Sequence, residues 1–249
     1  MSTLVDPGQL GTVLGVWAHP DDEAMLSGGL MAIAREAGQR VVVVTATRGE
    51  LGTTEPDVWP PARLGRLRAA ELRRALAAVD VTEQRFLDYV DGTLTQVPWP
   101  VGVTHIAQTI AEVRPDTIVT FGPDGLTGHD DHRMVSAWAT AARAMAAPNA
   151  QLLYATTTAS FEDQWGDVNE QFGVYFAREA PPRTPDDEVA LAFRLTGEAL
   201  DRKVAALRAH ASQTAAMVEA LGTDAFRAWW STETFLDAPP AAKGCPLAA

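Results

Sequence analysis

Short runs of β-branched and apolar residues alternate along the chain with longer segments rich in Ala, Leu, Arg and Glu. Apolar runs of about four to eight residues are typical of strands that are buried on both faces. The alternation predicts successive β-α-β units around a mostly parallel sheet. The predicted strands are residues 13–17, 41–47, 85–87, 117–121 and 152–156.

The segments between these strands predict four helices. Gly38 ends the first of them as a C′ glycine, and Pro115 stops the third. After residue 156 the pattern weakens into a mixed loop, a proline-rich stretch and one late helix. The fold class is therefore α/β, with a Rossmann-like mostly parallel sheet flanked by helices and a less regular C-terminal part. The helices are expected at 24–37, 62–78, 103–113, 131–145 and 198–210, the mixed loop at 161–176 and the proline-rich stretch at 180–186.

Length and composition bound the domain organisation. The chain has 249 residues, of which 47% are hydrophobic, enough to form the core of one large α/β domain. We therefore expect a single domain over 1–249, in which the Pro/Ala-rich residues 238–249 form a flexible tail. The single cysteine, Cys245, excludes an internal disulfide and a site built from several thiolates.

Charge narrows the choice of partner. The formal net charge is -12, and the chain has no dense run of Lys and Arg, so nucleic acid and anionic membrane surfaces are disfavoured. No apolar stretch approaches the ~18 residues of a membrane span, and the N-terminus lacks the pattern of a signal peptide. We expect a cytoplasmic protein with a small-molecule substrate. A homo-oligomer is compatible with the sequence.

Two polar clusters follow the first and the fourth predicted strands. Residues 18–23 read Ala-His-Pro-Asp-Asp-Glu, and residues 128–133 read Gly-His-Asp-Asp-His-Arg. In open parallel sheets the crevice lies at the carboxyl ends of the strands, where the strand order reverses. We therefore expect the two clusters to meet in space. Three consecutive acids repel one another unless a cation or a shared proton is present, which favours a metal site.

Each cluster alone has an ordinary structural interpretation. Acidic residues at a helix start interact favourably with the helix dipole, and one histidine beside them is commonly a surface or capping residue. Two clusters at switch-point positions favour a metal site over that interpretation. Two histidines and a carboxylate with an open fourth position are typical of hydrolytic zinc.

The same two segments resemble a known family. Residues 18–23, AHPDDE, resemble the first motif of the zinc-dependent N-deacetylases of the PIG-L/LmbE-like type. This family includes the N-acetylglucosaminyl-phosphatidylinositol deacetylases and the bacterial mycothiol and bacillithiol deacetylases. Residues 129–132, HDDH, resemble its second motif, HPDH, with Asp130 in place of proline. Weaker similarities at 47–52, 68–72, 89–92 and 210–213 extend the resemblance over about residues 13–213.

The resemblance implies a metal site and a general base. His19, Asp22 and His132 correspond to the metal ligands, and Asp21 corresponds to the base. The residues alone leave open which of Asp21 and Asp22 binds the metal, because the chemistry requires only one coordinating carboxylate and one free neighbour. The implied cofactor is Zn²⁺, with another divalent metal such as Fe²⁺ as the alternative.

Further polar residues receive roles from the same resemblance. His129 corresponds to an acid that stabilises the oxyanion or protonates the leaving amine, and Asp131 would hold its imidazole in position. The added charge of Asp130 is expected to raise the pKa of His129 and to loosen the loop. His210 and Gln213 are expected to support the site from behind or to pack a helix. The residues that correspond to substrate contacts are Glu50, Arg68 and Asp91, although each of them also suits an ordinary helix or loop position.

The implied reaction is zinc-dependent hydrolysis that removes an acetyl or similar acyl group from the nitrogen of an amino-sugar-type substrate. One alternative within the enzyme class is an amidase of a larger thiol-sugar conjugate, and another is a tailoring deacetylase of a secondary metabolite. A noncatalytic metal-containing binding module would not need both Asp21 and His129. A dinucleotide-binding protein is disfavoured because the first β-α turn lacks the glycine-rich fingerprint.

Overall fold

The computed structural model describes residues 9–175 and 181–240. Within them seven strands form one sheet in the order β3-β2-β1-β4-β5-β7-β6. The strands are β1 (Val13–Trp17), β2 (Val41–Thr45), β3 (Glu83–Phe86), β4 (Thr117–Phe121), β5 (Gln151–Thr156), β6 (Leu191–Arg194) and β7 (Thr232–Asp237). The helices are α1 (Asp22–Glu36), α2 (Pro61–Ala78), α3 (Trp99–Val113), α4 (Asp130–Ala146), α5 (Ala159–Gln171), α6 (Gly197–Ala209) and α7 (Ala211–Trp229).

The centre of the sheet is parallel and completely buried. Every residue of β1, β2 and β4 is buried, as expected for strands covered by helices on both faces. In the register, Val13 lies opposite both Val41 and Thr117. The chain adds β2 and β3 on one side of β1 and then β4 and β5 on the other. The loops after β1 and β4 therefore open at one switch point, and the predicted α/β fold is confirmed.

The predicted mixed loop at 161–176 is wrong for most of its length, because α5 occupies Ala159–Gln171. The hydroxyl of Thr158 accepts a hydrogen bond from the Phe161 amide at 3.2 Å and caps this helix. Apolar side chains then recur at helical spacing and pack on the core. The recurring side chains are Phe161, Trp165, Val168 and Phe172. Residue 176, the last of the predicted loop, lies outside the described residues.

The C-terminal part contains three elements that the sequence analysis did not predict: β6, β7 and α7. Strand β7 pairs antiparallel with both β5 and β6, so it interrupts the parallel order. Helix α7 directly follows the predicted late helix, observed as α6, and bends at Gly222, where φ is +75°. Of the expected tail, residues 241–249 lie outside the described residues. None of the described helices is both long and apolar enough to cross a membrane.

Helix α4, which carries the second polar cluster, packs closely on α3 at Gly102. A Cβ at this position would lie 2.2 Å from Cε2 of the fully buried Trp138. We expect Gly102→Ala to lower the free energy of unfolding by about 1–3 kcal/mol, because the rigid indole cannot yield without backbone movement. Urea unfolding monitored by circular dichroism measures this change.

Gly166 in α5 is the matched control, because a Cβ there meets no atom closer than 4.0 Å. Gly166→Ala is expected to raise the free energy of unfolding by about 0.5–1 kcal/mol through helix propensity. Equal effects of the two substitutions would contradict the close approach of α3 and α4.

Candidate active site

The loops after β1 and β4 bring three potential metal ligands together. His19 Nδ1 lies 3.1 Å from His132 Nε2, although the two residues are 113 positions apart. Asp22 Oδ1 is 3.4 Å from His132 Nε2, and Asp22 Oδ2 is 3.7 Å from His19 Nδ1. All three side chains are buried. The two polar clusters therefore converge on one point at the switch point of the sheet.

The chain direction at the end of β1 fixes the first cluster. Asp22 is the first residue of α1, and its carboxylate folds back over the strand end. There its Oδ2 accepts hydrogen bonds from the amides of His19 at 2.7 Å and Ala18 at 3.2 Å. These bonds leave Oδ1 directed at His132, so the strand-to-helix turn itself aims the carboxylate.

The hydrogen bonds of the two imidazoles assign their protons. His132 Nδ1 lies 3.0 Å from the carbonyl oxygen of Gly125, which can only accept, so Nδ1 carries the hydrogen. His19 Nε2 lies 3.0 Å from a carboxylate oxygen of Asp91 and donates to it. The other two ring nitrogens therefore direct lone pairs at each other across 3.1 Å. That arrangement requires a proton or a metal ion between them, and outer N–H groups bonded in this way are typical of metal-binding histidines.

Electrostatics also favours a cation at this point. Burial lowers the pKa of His19, but its hydrogen bonds to Asp131 and Asp91 outweigh burial and raise the pKa to about 10. Burial raises the pKa of Asp22 to about 7. Burial also acts to raise the pKa of Asp91, but the bond to His19 prevails and lowers it to about 2. The surrounding carboxylates thus stabilise positive charge at this point, whether it is carried by a proton or by a metal ion. A donor set of two nitrogens and one oxygen suits Zn²⁺ or another divalent transition metal.

Two groups of three donor atoms lie within 4.8 Å of one another among the described residues, and both include His19 but not Asp22. In the first, the third ligand would be His129, whose Nδ1 accepts a hydrogen bond from the Asp131 amide. In the second, the carboxylates of Asp91 and Asp131 would bind, although both already accept backbone hydrogen bonds. The set with Asp22 is favoured because the Asp131 amide already occupies the lone pair of His129 Nδ1, whereas Asp22 Oδ1 lies 3.4 Å from His132 Nε2.

Asp21 directly precedes the proposed ligand Asp22 and occupies the N-cap position of α1, where its side chain makes no capping hydrogen bond. Its side chain is 13% exposed, and its Oδ2 lies 3.1 Å from Nη2 of Arg68. Burial raises the pKa of Asp21, and the positive charge of Arg68 opposes that rise. A carboxylate with a raised pKa at the edge of a buried site has the properties of a general base.

Arg68 and Asp91, which the sequence analysis placed against the substrate, are used inside the protein. The guanidinium of Arg68 donates to the carbonyl oxygens of Gly49 at 2.7 Å and Pro20 at 2.6 Å, besides its contact with Asp21. Gly49 has to be glycine here, because φ is +61° and a Cβ would lie 2.3 Å from Arg68 Nη1. Asp91 is 5% exposed and bridges His19 to the Leu51 amide. Both residues therefore hold loops of the candidate site in place, and a contact of either residue with the substrate stays a prediction.

Glu50 is the remaining predicted substrate contact. Its Oε1 accepts a hydrogen bond from the Asp91 amide at 3.1 Å. Its Oε2 is buried and has no hydrogen-bond partner among the described residues. A buried carboxylate oxygen without a hydrogen bond costs free energy, and a hydrogen bond from a ligand hydroxyl would remove that cost. Glu50 therefore has a free acceptor for such a ligand.

In the second cluster, the Asp131 carboxylate does not make the expected contact with the imidazole of His129. Its carboxylate accepts from the amides of Gly92 at 2.8 Å and Leu94 at 3.1 Å, so it fastens the loop after β3. The backbone amide of Asp131, rather than its carboxylate, bonds to His129 Nδ1 at 3.1 Å. The pKa of His129 is lowered, first by burial and then by the charge of His19, whereas the expected rise from Asp130 is a smaller effect.

Asp130, the residue that departs from the family motif, occupies the first position of α4 and is 74% exposed at its side chain. The preceding His129 has φ −68° and ψ 131°, the extended conformation that a following proline requires. His129 therefore already has the backbone conformation that a proline at position 130 would impose. We expect Asp130→Pro to retain activity within about threefold and to raise the free energy of unfolding by about 0.4–1 kcal/mol. Steady-state kinetics and urea unfolding test this, and a tenfold loss of activity would contradict it.

The sequence analysis assigned no role to Glu23, although it belongs to the first cluster. Glu23 is fully buried, and its Oε1 lies 2.7 Å from His210 Nε2. The expected support of the site from behind by His210 thus takes the form of this contact. Glu23 is the sixth residue after β1 and the second of α1, and its charge gave no signal by itself because an acidic residue suits any helix start.

Comparison with known proteins agrees with this geometry. The sequence profile of the PIG-L family, described as GlcNAc-PI de-N-acetylase, matches residues 14–143, more than half of the chain. The chain belongs to the PIG-L family. This confirms the predicted family and, with it, the predicted class of enzyme, a hydrolase of carbon-nitrogen amide bonds in the N-deacetylase group.

Two curated relatives cover most of the chain, and both are named as 1D-myo-inositol 2-acetamido-2-deoxy-α-D-glucopyranoside deacetylases. The protein from Actinosynnema mirum is 34% identical over 88% of this chain and 86% of its own length. The protein from Saccharopolyspora erythraea is 32% identical over 87% of this chain and 81% of its own length. A solved structure, the N,N'-diacetylchitobiose deacetylase from Pyrococcus horikoshii, shares the fold with a TM-score of 0.64 at 20% identity, over 95% of this chain and 87% of that chain.

Proposed function

We propose that this PIG-L family protein removes the acetyl group from the nitrogen of a 2-acetamido-2-deoxyglucoside, releasing acetate and a free amine. The observation that carries the proposal is the convergence of His19, His132 and Asp22 on one point, with Asp21 next to Asp22 in the chain. Both relatives are named for an acetamido sugar that carries 1D-myo-inositol, which supports an acetamido sugar as the substrate.

His19 Nδ1, His132 Nε2 and Asp22 would hold the divalent metal, for which we propose Zn²⁺, with Fe²⁺ as the alternative. When bound, such an ion polarises an amide carbonyl and lowers the pKa of water in the site. The outer hydrogen bonds of His19 to Asp91 and of His132 to Gly125 keep both rings oriented.

Asp21 supplies the general base. Its carboxylate accepts the proton of the attacking water, and Arg68 holds the carboxylate in place at 3.1 Å. Because burial raises the pKa of Asp21, the proton is accepted more readily than by an exposed aspartate. The proton can then pass to the leaving amine.

His129 stabilises the developing oxyanion. Its Nδ1 accepts a hydrogen bond from the Asp131 amide, so the ring hydrogen of the neutral imidazole lies on Nε2. This N–H is a fixed donor for negative charge on the former carbonyl oxygen. The role requires no protonated imidazole, in agreement with the lowered pKa of His129.

A second candidate substrate is an acetamido sugar that carries an apolar group, as in a glycosylated secondary metabolite. Two large apolar side chains beside the site, Leu51 and Val90, are 53% and 57% exposed. The Leu51 amide donates to Asp91, and Val90 precedes Asp91 in the chain. Apolar side chains in this position suit an apolar substituent next to the sugar.

One experiment tests both statements. The purified protein is dialysed against a chelator and then assayed for amine release from methyl and octyl 2-acetamido-2-deoxyglucosides, before and after addition of Zn²⁺ or Fe²⁺. We expect chelation to abolish release and a divalent metal to restore it. Release that is unaffected by chelation would contradict the proposed function. A kcat/KM that is higher for the octyl glycoside would select the second candidate, and the change Leu51→Ser should then remove the preference.

A further inference from the structure

The backbone of Asp21 is strained. Its φ is +115° and its ψ is −30°, a combination that residues with a side chain rarely adopt. Such a conformation persists only where the surrounding structure determines it from several directions, and strained residues of this kind cluster at functional sites. The strain also decides where the carboxylate points, since the side chain leaves the backbone at Cα.

Neighbouring backbone bonds hold only the carbonyl side of Asp21. Its oxygen accepts hydrogen bonds from the amides of Ala24 at 3.0 Å and Met25 at 2.9 Å, which begin α1. Its amide donates to Oε2 of Glu23 at 3.0 Å. This second bond holds the N–H of the peptide that precedes the strained residue, while the carbonyl oxygen of the same peptide, from Pro20, accepts from Arg68 at 2.6 Å. The hold on the N–H depends on how firmly the Glu23 carboxylate is fixed.

His210 holds the other oxygen of that carboxylate. Its Nε2 lies 2.7 Å from Glu23 Oε1, and neither side chain is exposed at all. The two residues are 187 positions apart, so the contact joins the first helix to the junction of α6 and α7. The backbone of His210 is itself fixed, because its carbonyl accepts from the amides of Gln213 and Thr214 at the start of α7. The imidazole therefore reaches Glu23 from a rigid corner.

We propose that Glu23 and His210 form a positioning pair that maintains the strained backbone of Asp21 and thereby aims its carboxylate. The Glu23 carboxylate contacts the Asp21 amide and His210. The inference rests on the proposed function only in that Asp21 is the general base. The C-terminal helices, which contribute no ligand, thus take part in the reaction through one buried hydrogen bond.

Three variants at His210 and at a control position test the pair. His210→Leu removes the donor, and we expect it to lower kcat by about 10²-fold, the effect of displacing a reacting group by about 1 Å. We expect KM and metal content to stay within about twofold of the wild type. His210→Gln keeps an N–H at the place of Nε2 and should restore kcat to within about fivefold. The control is the same change at an exposed histidine, His105→Gln, which should have no effect.

A double-mutant cycle separates positioning from general damage. If His210 acts through Asp21, the change His210→Leu should cost less than about threefold in a protein that already carries Asp21→Asn. An unchanged loss in that background would overturn the proposal. So would an equal loss for His210→Leu and His210→Gln, or a loss of metal in either variant.

Glu23→Gln keeps the proposal testable if His210→Leu does not fold. The carboxamide has one accepting oxygen and cannot accept from both Asp21 and His210. Moving the ring proton of His210 to Nδ1 would not restore the hydrogen bonding, because Nδ1 is buried and has no acceptor among the described residues. We expect about a tenfold loss of kcat that also disappears in the Asp21→Asn background. Wild-type protein that releases no amine would instead contradict the proposed function, which distinguishes the two failures.

Discussion

Asp21→Asn is expected to lower kcat by about 10²-fold or more, with KM and metal content close to those of the wild type. The carboxamide has the same shape as the carboxylate and can still accept from Arg68, which lies 3.1 Å away. It cannot accept a proton at neutral pH. The loss would therefore appear in the chemical step alone, as measured by steady-state amine release and by metal analysis of the same sample.

The matched control is Asp130→Asn, which removes one carboxylate from the other cluster. Asp130 is highly exposed and lies 3.9 Å from Arg133 Nη1, so its charge is weakly coupled to the site. We expect its kcat to stay within about twofold of the wild type. Asp21→Asn protein that retains wild-type kcat would show that another group takes the proton.

Asp22→Asn is expected to have the opposite signature. The amide oxygen can still accept from the His19 amide, so the turn should keep its shape. A neutral amide is a much weaker metal ligand than a carboxylate, and we expect metal affinity to fall by more than about 10²-fold, with activity falling in parallel. Metal titration followed by amine release checks both quantities.

The two substitutions are thus expected to have contrasting effects. Measuring both decides which of Asp21 and Asp22 binds the metal, a question that the sequence left open. Asp21→Asn should lose turnover and keep the metal, whereas Asp22→Asn should lose the metal. Activity of Asp22→Asn that recovers at high metal concentration would support its role as a ligand. Loss of metal in Asp21→Asn, with full retention in Asp22→Asn, would exchange the two roles.

The sequence predicts the first part of the fold well because parallel strands buried on both faces leave an unmistakable pattern. Every residue of β1 and β4 is apolar or small enough to be buried, and glycine or proline follows the first and third helices. The antiparallel end of the sheet gave no such signal. Strand β6 alternates buried and exposed residues over four positions. Strand β7 carries the buried Glu233, which is paired with Lys203 at 2.8 Å and accepts hydrogen bonds from the amides of Gly29 and Leu30 in α1. Pairing of that kind depends on tertiary contacts.

In the candidate site, too, some residues could be predicted from sequence patterns and others depend on tertiary contacts. His19, Asp22 and His132 could be predicted because two motifs and the switch-point rule place them together. The roles of Arg68 and Asp91 could not, because they depend on where each side chain finds its hydrogen bonds. Glu23 was missed for the same reason, since only the fold shows that its partner comes from the far end of the chain.

Anomalous diffraction at the zinc edge tests the central assignment most directly. Crystals grown with Zn²⁺ are measured above and below the absorption edge, and the anomalous peak is located relative to the side chains. We expect one peak about 2.0–2.2 Å from His19 Nδ1, His132 Nε2 and an oxygen of Asp22. A peak bound instead by His129, or one between Asp91 and Asp131, would contradict it.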